Sequence, residues 1–78
     1  MTAGRSLADL PVGAASIVME LRAVGSTRRR LLDLGFVPDT AVEAVRRSPM
    51  GDPTAYQIRG AVIALRKEDA DAVLVRPI

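Results

Sequence analysis

Apolar and polar residues alternate over short runs along most of this chain. From Ala14 to Arg22 the alternation is imperfect: Ala15, Ile17 and Met19 fall on one face, and Ser16, Val18 and Glu20 on the other. A period of two predicts a first strand there. Thr40 to Arg47 predicts a second, with Val42 and Ala44 alternating against Ala41, Glu43 and Val45. Thr54 to Arg59 predicts a third, Tyr56 and Ile58 inward, Gln57 and Arg59 outward. Ala61 to Arg66 predicts a fourth with Ile63 and Leu65 on the core face, and Val73 to Arg76 a fifth that Pro77 ends. Ahead of them, Met1 to Arg5 reads as a loose end. Ser6 to Leu10 reads as one helical turn that drops Leu7 and Leu10 onto the core and stops at Pro11-Val12-Gly13.

One stretch has a helical period instead. Ser26 suits an N-cap, because its hydroxyl can accept from an orphan backbone N–H of the first turn. Thr27, Leu31 and Leu34 then share a face. Gly35 fits the left-handed position past the last turn, Phe36 or Val37 can fold back over it, and Pro38 prevents the helix from resuming. Arg28, Arg29 and Arg30 sit in the first turn, where the helix dipole favours negative charge instead. Arg29 points away from the Leu31 and Leu34 face, with Asp33 four residues on as an ion-pair partner. Arg28 and Arg30 flank the apolar stripe. Two readings of the arginines stay open: a solvated face whose stems cover the edge of the core, or a docking surface for an acidic partner or phosphate.

The breaks between these elements are informative. Pro38-Asp39 is a turn with Pro presetting φ. Ser48-Pro49-Met50-Gly51-Asp52-Pro53 is the strongest loop signal, since Pro49 and Pro53 cannot donate to a ladder and Gly51 permits positive φ. Gly60 marks a bend or bulge. Lys67 to Ala72 reads as a short helical turn with acids at its N-terminal end, and Ala70 lets it sit close to the strands. Five short strands with one early helix and no repeat predict a mainly β domain, strongly bent into a small barrel rather than an open sheet.

Composition narrows the chemistry. A chain of 78 residues makes one domain, and a domain of that size buries only about 60% of its unfolded surface. There is no Cys and no His, which removes disulfides, thiolate and imidazole catalysis, and the usual zinc and copper ligands. No Ser has a nearby base, and no Gly-rich phosphate loop is present, so no catalytic residue is assigned. Glu68, Asp69 and Asp71 cluster, but acids at a helix start explain them, and no metal site or cofactor is assigned. The net charge of +2 is concentrated in residues 28–66, which hold seven arginines against four acids. With one Tyr and one Phe, that balance makes a poor nucleic-acid surface. The longest apolar run, Val12 to Met19, has eight residues, against about 20 for a spanning helix. Arg5 precedes an apolar stretch that Asp9 and Pro11 interrupt, so a cytoplasmic, unprocessed chain is expected, without insertion in a membrane.

Three segments in order resemble the FeoA family, the small cytosolic component of bacterial ferrous-iron uptake. Arg29-Arg30-Leu31-Leu32-Asp33-Leu34-Gly35-Phe36-Val37-Pro38 resembles its basic helix and Leu-Gly-apolar-x-Pro turn. Ser48-Pro49-Met50-Gly51-Asp52-Pro53 resembles its Ala-Pro-Leu-Gly-Asp-Pro loop. Gly60-Ala61-Val62-Ile63-Ala64-Leu65-Arg66-Lys67, followed by Ala70, resembles its strand and final turn. The likeness spans residues 6–76. Asp39 departs from the family's Gly, Met50 from its Leu, and Ala44 from a common Val. Asp tolerates left-handed φ, so the turn survives the first change.

The resemblance implies an SH3-like barrel and a partner, the membrane iron transporter FeoB with its cytosolic GTPase domain. It implies a non-enzymatic accessory protein that acts through protein–protein contact. Arg28, Arg29, Arg30, Met50, Gly51 and Asp52 are the expected partner-binding residues, and Leu31, Leu34, Gly35, Pro38, Pro49, Pro53 and Gly60 the structural ones. The loop has a plain alternative, in which Gly51 and Asp52 only make the turn. An alternative for the whole chain is an SH3-like module that binds nucleic acid or the ribosome through its arginines. Exposed strand edges also allow a homo-oligomer.

Overall fold

A computed structural model of the protein describes residues 4–78. Six strands form one antiparallel sheet: β1 Arg5–Ser6, β2 Ala15–Leu21, β3 Ala41–Arg47, β4 Thr54–Ile58, β5 Ala61–Leu65 and β6 Val73–Pro77. Their spatial order is β1-β6-β2-β3-β4-β5. A 3₁₀ turn, Leu7–Asp9, follows β1. Helix α1, Gly25–Leu34, joins β2 to β3, and α2, Lys67–Asp71, joins β5 to β6.

The strand count differs from the five expected. Arg5 and Ser6 pair with Val75 and Leu74, so Arg5 belongs to the sheet and not to a loose end, and Gly4 before it lies close to Met19 and Val75; Met1 to Ala3 of that expected end lie outside the described residues. Two residues carry too little pattern to announce a strand. The ladder is also not closed, since β1 and β5 are not hydrogen-bonded to each other. The 3₁₀ turn helps fill the core instead: Leu7 is fully buried, and the Tyr56 hydroxyl donates to its carbonyl at 3.4 Å.

Alternation places the core largely as expected. Val42, Ala44, Tyr56, Ile58, Leu65, Val73 and Val75 are buried with Leu31 and Phe36, and Ile63 and Leu34 pack partly buried against them. In β2 the inward face is Ser16 and Val18. The register shifts between Val18 and Glu20, which is the physical source of the imperfect alternation there.

Helix α1 ends as its sequence predicts. Gly35 has φ 111°, its N–H donates to Leu32 O at 3.0 Å, and the Phe36 N–H donates to Leu31 O at 3.0 Å. This double bond pattern is the Schellman motif, and Leu31 and Phe36, both 0% exposed, supply its hydrophobic contact. The start differs. Gly25 takes φ 63° and the helix begins there, so Ser26 lies inside the first turn, and the capping position, Val24, makes no side-chain bond. A left-handed glycine set the entry of the chain, against the side-chain preference of Ser26. Ser6 does act as a cap, accepting from Ala8 N at 3.1 Å. At the next turn Asp39 has φ 73°, and the Thr40 N–H donates to Val37 O at 3.2 Å, as in a type II turn.

Tyr56 is the chain's single tyrosine and is 1% exposed. Burial raises its pKa, outweighing the Thr54 hydrogen bond and the Arg47 charge, which act downward. The unfolded chain therefore ionises first as pH rises past the ordinary tyrosine value of about 10. The stability tied to the neutral phenol is full below that pH and declines above it toward the folded pKa. Tyrosinate absorbance should appear later in folded than in urea-unfolded protein, and Tyr56→Phe should remove that alkaline loss. Coincident titrations would show that the phenol is not shielded.

Candidate docking surface

The N-terminal half of α1 projects Arg28 and Arg29 into solvent. Together with Gly25, Ser26 and Leu32 they line an open depression of about 560 Å³. Neither takes part in an ion pair among the described residues. Arg30 behaves differently: its Nη2 lies 2.8 Å from Asp69 Oδ2 on α2, a residue 39 positions away. The expected Arg29–Asp33 pair does not form among the described residues. The three arginines are therefore two free cations and one strut.

The loop between β3 and β4 is held by its own backbone. Gly51 N donates to Ser48 O at 2.8 Å, Ser48 N to Pro53 O at 3.1 Å, and Ser48 Oγ to Asp52 O at 2.8 Å. Gly51 has φ 89°, and the Asp52–Pro53 peptide is cis. At the tip Met50 is 91% exposed. Asp52, expected to face a partner, points elsewhere: its Oδ1 accepts from Lys67 N at 2.8 Å. It thereby satisfies an orphan N–H at the start of α2, where a carboxylate also suits the dipole.

Helix α2 thus bridges the two parts of the surface, which the sequence left separate. Arg30 holds Asp69, and Asp52 holds Lys67. Asp71 of that turn is engaged as well, accepting from Ser6 Oγ at 2.9 Å and from Lys67 Nζ at 3.4 Å. Among the described residues no three acids gather where they could share a metal ion.

Beneath the loop lies a cavity of about 260 Å³ lined by Arg47, Asp52, Thr54, Tyr56 and Lys67 among others. Arg47 donates to Thr54 Oγ1 and to Leu10 O, each at 3.3 Å. None of Arg47, Thr54 and Lys67 stood out in the sequence, because they converge only once β3, β4 and α2 are assembled. Gly60 sits in a two-residue turn with Arg59, Pro38 in the turn after α1, and Pro49 and Pro53 flank the loop tip.

The sequence profile of the FeoA domain matches residues 5–77. The chain belongs to the FeoA family. A Porphyromonas gingivalis protein, an Fe(2+) transport protein A/Fe(2+) transporter FeoB fusion, is 32% identical over 72 residues. That match takes in 92% of this chain, which spans only 8% of the length of the fusion protein. The solution structure of a FeoA-like protein from Clostridium acetobutylicum superposes with a TM-score of 0.91 at 32% identity, over all of this chain and 91% of the other. The crystal structure of Stenotrophomonas maltophilia FeoA complexed with zinc, described as an SH3 domain protein, gives 0.80 at 31% identity, over 90% and 87% of the two chains. The fold is thus the SH3-like fold of FeoA proteins. No helix among the described residues is long and apolar enough to cross a membrane.

Proposed function

We propose that this FeoA protein is a non-enzymatic accessory of ferrous-iron uptake that works in the cytoplasm by docking on the GTPase domain of a FeoB transporter. The fusion in Porphyromonas gingivalis carries this reading, since it joins a related domain and a FeoB transporter in one polypeptide. The proposed contact consists of Arg28 and Arg29 on α1 and Met50 at the loop tip. The arginines gain nothing from the helix dipole, so local stability does not account for them. An exposed Met on a braced loop suits an adaptable apolar contact. With Arg30 neutralised by Asp69, two free cations remain there, few for a nucleic-acid backbone.

Calorimetry with the purified GTPase domain of the cognate FeoB tests this reading. Saturable binding is expected. Arg29→Glu and Met50→Asp should both fold normally, within about 0.5 kcal/mol of the parent. Each should weaken binding about tenfold. Arg29→Glu should act on association and fade with salt, Met50→Asp on dissociation. Full binding by both folded variants would move the contact elsewhere, and no binding by the parent would end the proposal.

A further inference from the structure

The open ladder leaves two strand edges, and they differ. β1 is two residues long. β5 is five, Ala61-Val62-Ile63-Ala64-Leu65, without a charge or a proline. Natural edges are usually guarded by a charge, a proline or a bulge. β5 has none of these, and its register with β4 runs unbroken from Ala61 to Leu65, whereas the β2–β6 and β3–β4 registers shift.

The hairpin that ends at β5 decides which backbone groups are free. Its two-residue turn, Arg59-Gly60, has φ of 51° and 82°, and Ile58 pairs with Ala61. In such a hairpin the pair flanking the turn exchanges hydrogen bonds, and bonded and non-bonded pairs then alternate. Ala61, Ile63 and Leu65 therefore direct their N–H and C=O toward β4, and Val62 and Ala64 direct theirs outward. Among the described residues no turn, loop or cap bond takes those outward groups. Both residues are exposed, Val62 by 58%.

Charge then selects the occupant. Arg59 precedes the strand and Arg66 follows it; both are exposed, and neither takes part in an ion pair among the described residues. We propose that the β5 edge receives an extended segment of a protein partner, uncharged within and acidic at both ends, which adds as a further strand. Main-chain bonds to Val62 and Ala64 would supply the affinity, and the flanking arginines the selectivity. A second copy of this chain fits poorly. Antiparallel self-pairing centred on Ile63 brings the Arg59 end of one copy against the Arg66-Lys67 end of the other at both ends, cations against cations. The inference goes beyond the docking surface on α1 and uses none of its residues.

The test titrates full-length protein, followed by amide NMR, with two eight-residue peptides that alternate valine and threonine. One carries glutamate at both ends and the other lysine. The glutamate peptide should shift the Val62 and Ala64 amides first and slow their hydrogen exchange about tenfold or more. The lysine peptide should bind about tenfold more weakly at low salt. Ala64→Pro removes an N–H that no strand uses, a change edge strands tolerate, and should abolish binding. Should that variant fail to fold, the exchange data on the parent and the contrast between the peptides still decide. Unmoved Val62 and Ala64 amides at millimolar peptide, equal binding of both peptides, or protection that grows with protein concentration alone would overturn the proposal.

Discussion

Phe36→Ala is expected to lower the unfolding free energy by about 3–5 kcal/mol. Phe36 is the chain's only phenylalanine and is fully buried. It also follows Gly35 in the Schellman motif, so its ring packs in the core while its N–H holds the Leu31 carbonyl. The variant keeps that N–H and loses the ring, leaving a cavity among Leu31, Ile58 and their neighbours. A domain of this length has about 4–12 kcal/mol of stability in all, so the loss takes a large share of it. Urea unfolding should show a much lower midpoint with an unchanged slope. Phe36→Leu, which refills part of the space, should recover more than half of the loss. A fall below about 1 kcal/mol in Phe36→Ala would show that the site collapses around the smaller side chain.

Asp52→Ala is expected to cost about 1–2 kcal/mol, a large effect for a residue in a surface loop. The carboxylate accepts from Lys67 N at 2.8 Å and sits at the positive end of α2. The alanine variant leaves that N–H to water and loosens the link between loop and helix. Asp52→Asn retains an acceptor and should lose less than half as much. The pair separates two roles of this position. If Asp52→Ala unfolds with the parent's midpoint, the bond to Lys67 contributes nothing, and Asp52 is free to face a partner after all.

Local rules made much of this fold legible. Leu31, Leu34, Gly35, Phe36 and Pro38 specify the end of α1 within eight residues, and the backbone obeys them because the cap closes on itself. Tyr56 and Ile58, alternating with Gln57, placed β4 because the strand buries the face that carries them and exposes Gln57. Ser26 misled because a capping hydroxyl competes with backbone geometry, and Gly25 at φ 63° settled the entry first. Arg59-Gly60 gave only a bend, since arginine at φ 51° is an uncommon occupant of a hairpin turn where Asn or Asp usually announces one.

The candidate surface was legible by residue type and not by connection. Exposed cations on a helix and an exposed Met in a proline-bounded loop follow from the sequence. The links between Arg30 and Asp69 and between Asp52 and Lys67 do not, because they join positions 39 and 15 residues apart. Such pairs depend on where α2 comes to rest. The same holds for the β5 edge: that its strand is uncharged can be seen in the sequence, but that no other described strand pairs with its outer side follows from the strand order.

Strand β6 lies between β1 and β2, bonded to both. The last strand of this sheet in chain order is therefore an interior one. While the chain emerges from the ribosome, β2 to β5 can form their meander, but the Arg5–Ser6 segment has nothing to bind and one side of β2 stays bare. The sheet becomes complete only when Val73–Pro77 slots into that gap. Pairing of β1 and of the open side of β2 thus waits for β6, and a nascent chain stalled short of Val73 would hold an unfinished sheet however long it waited.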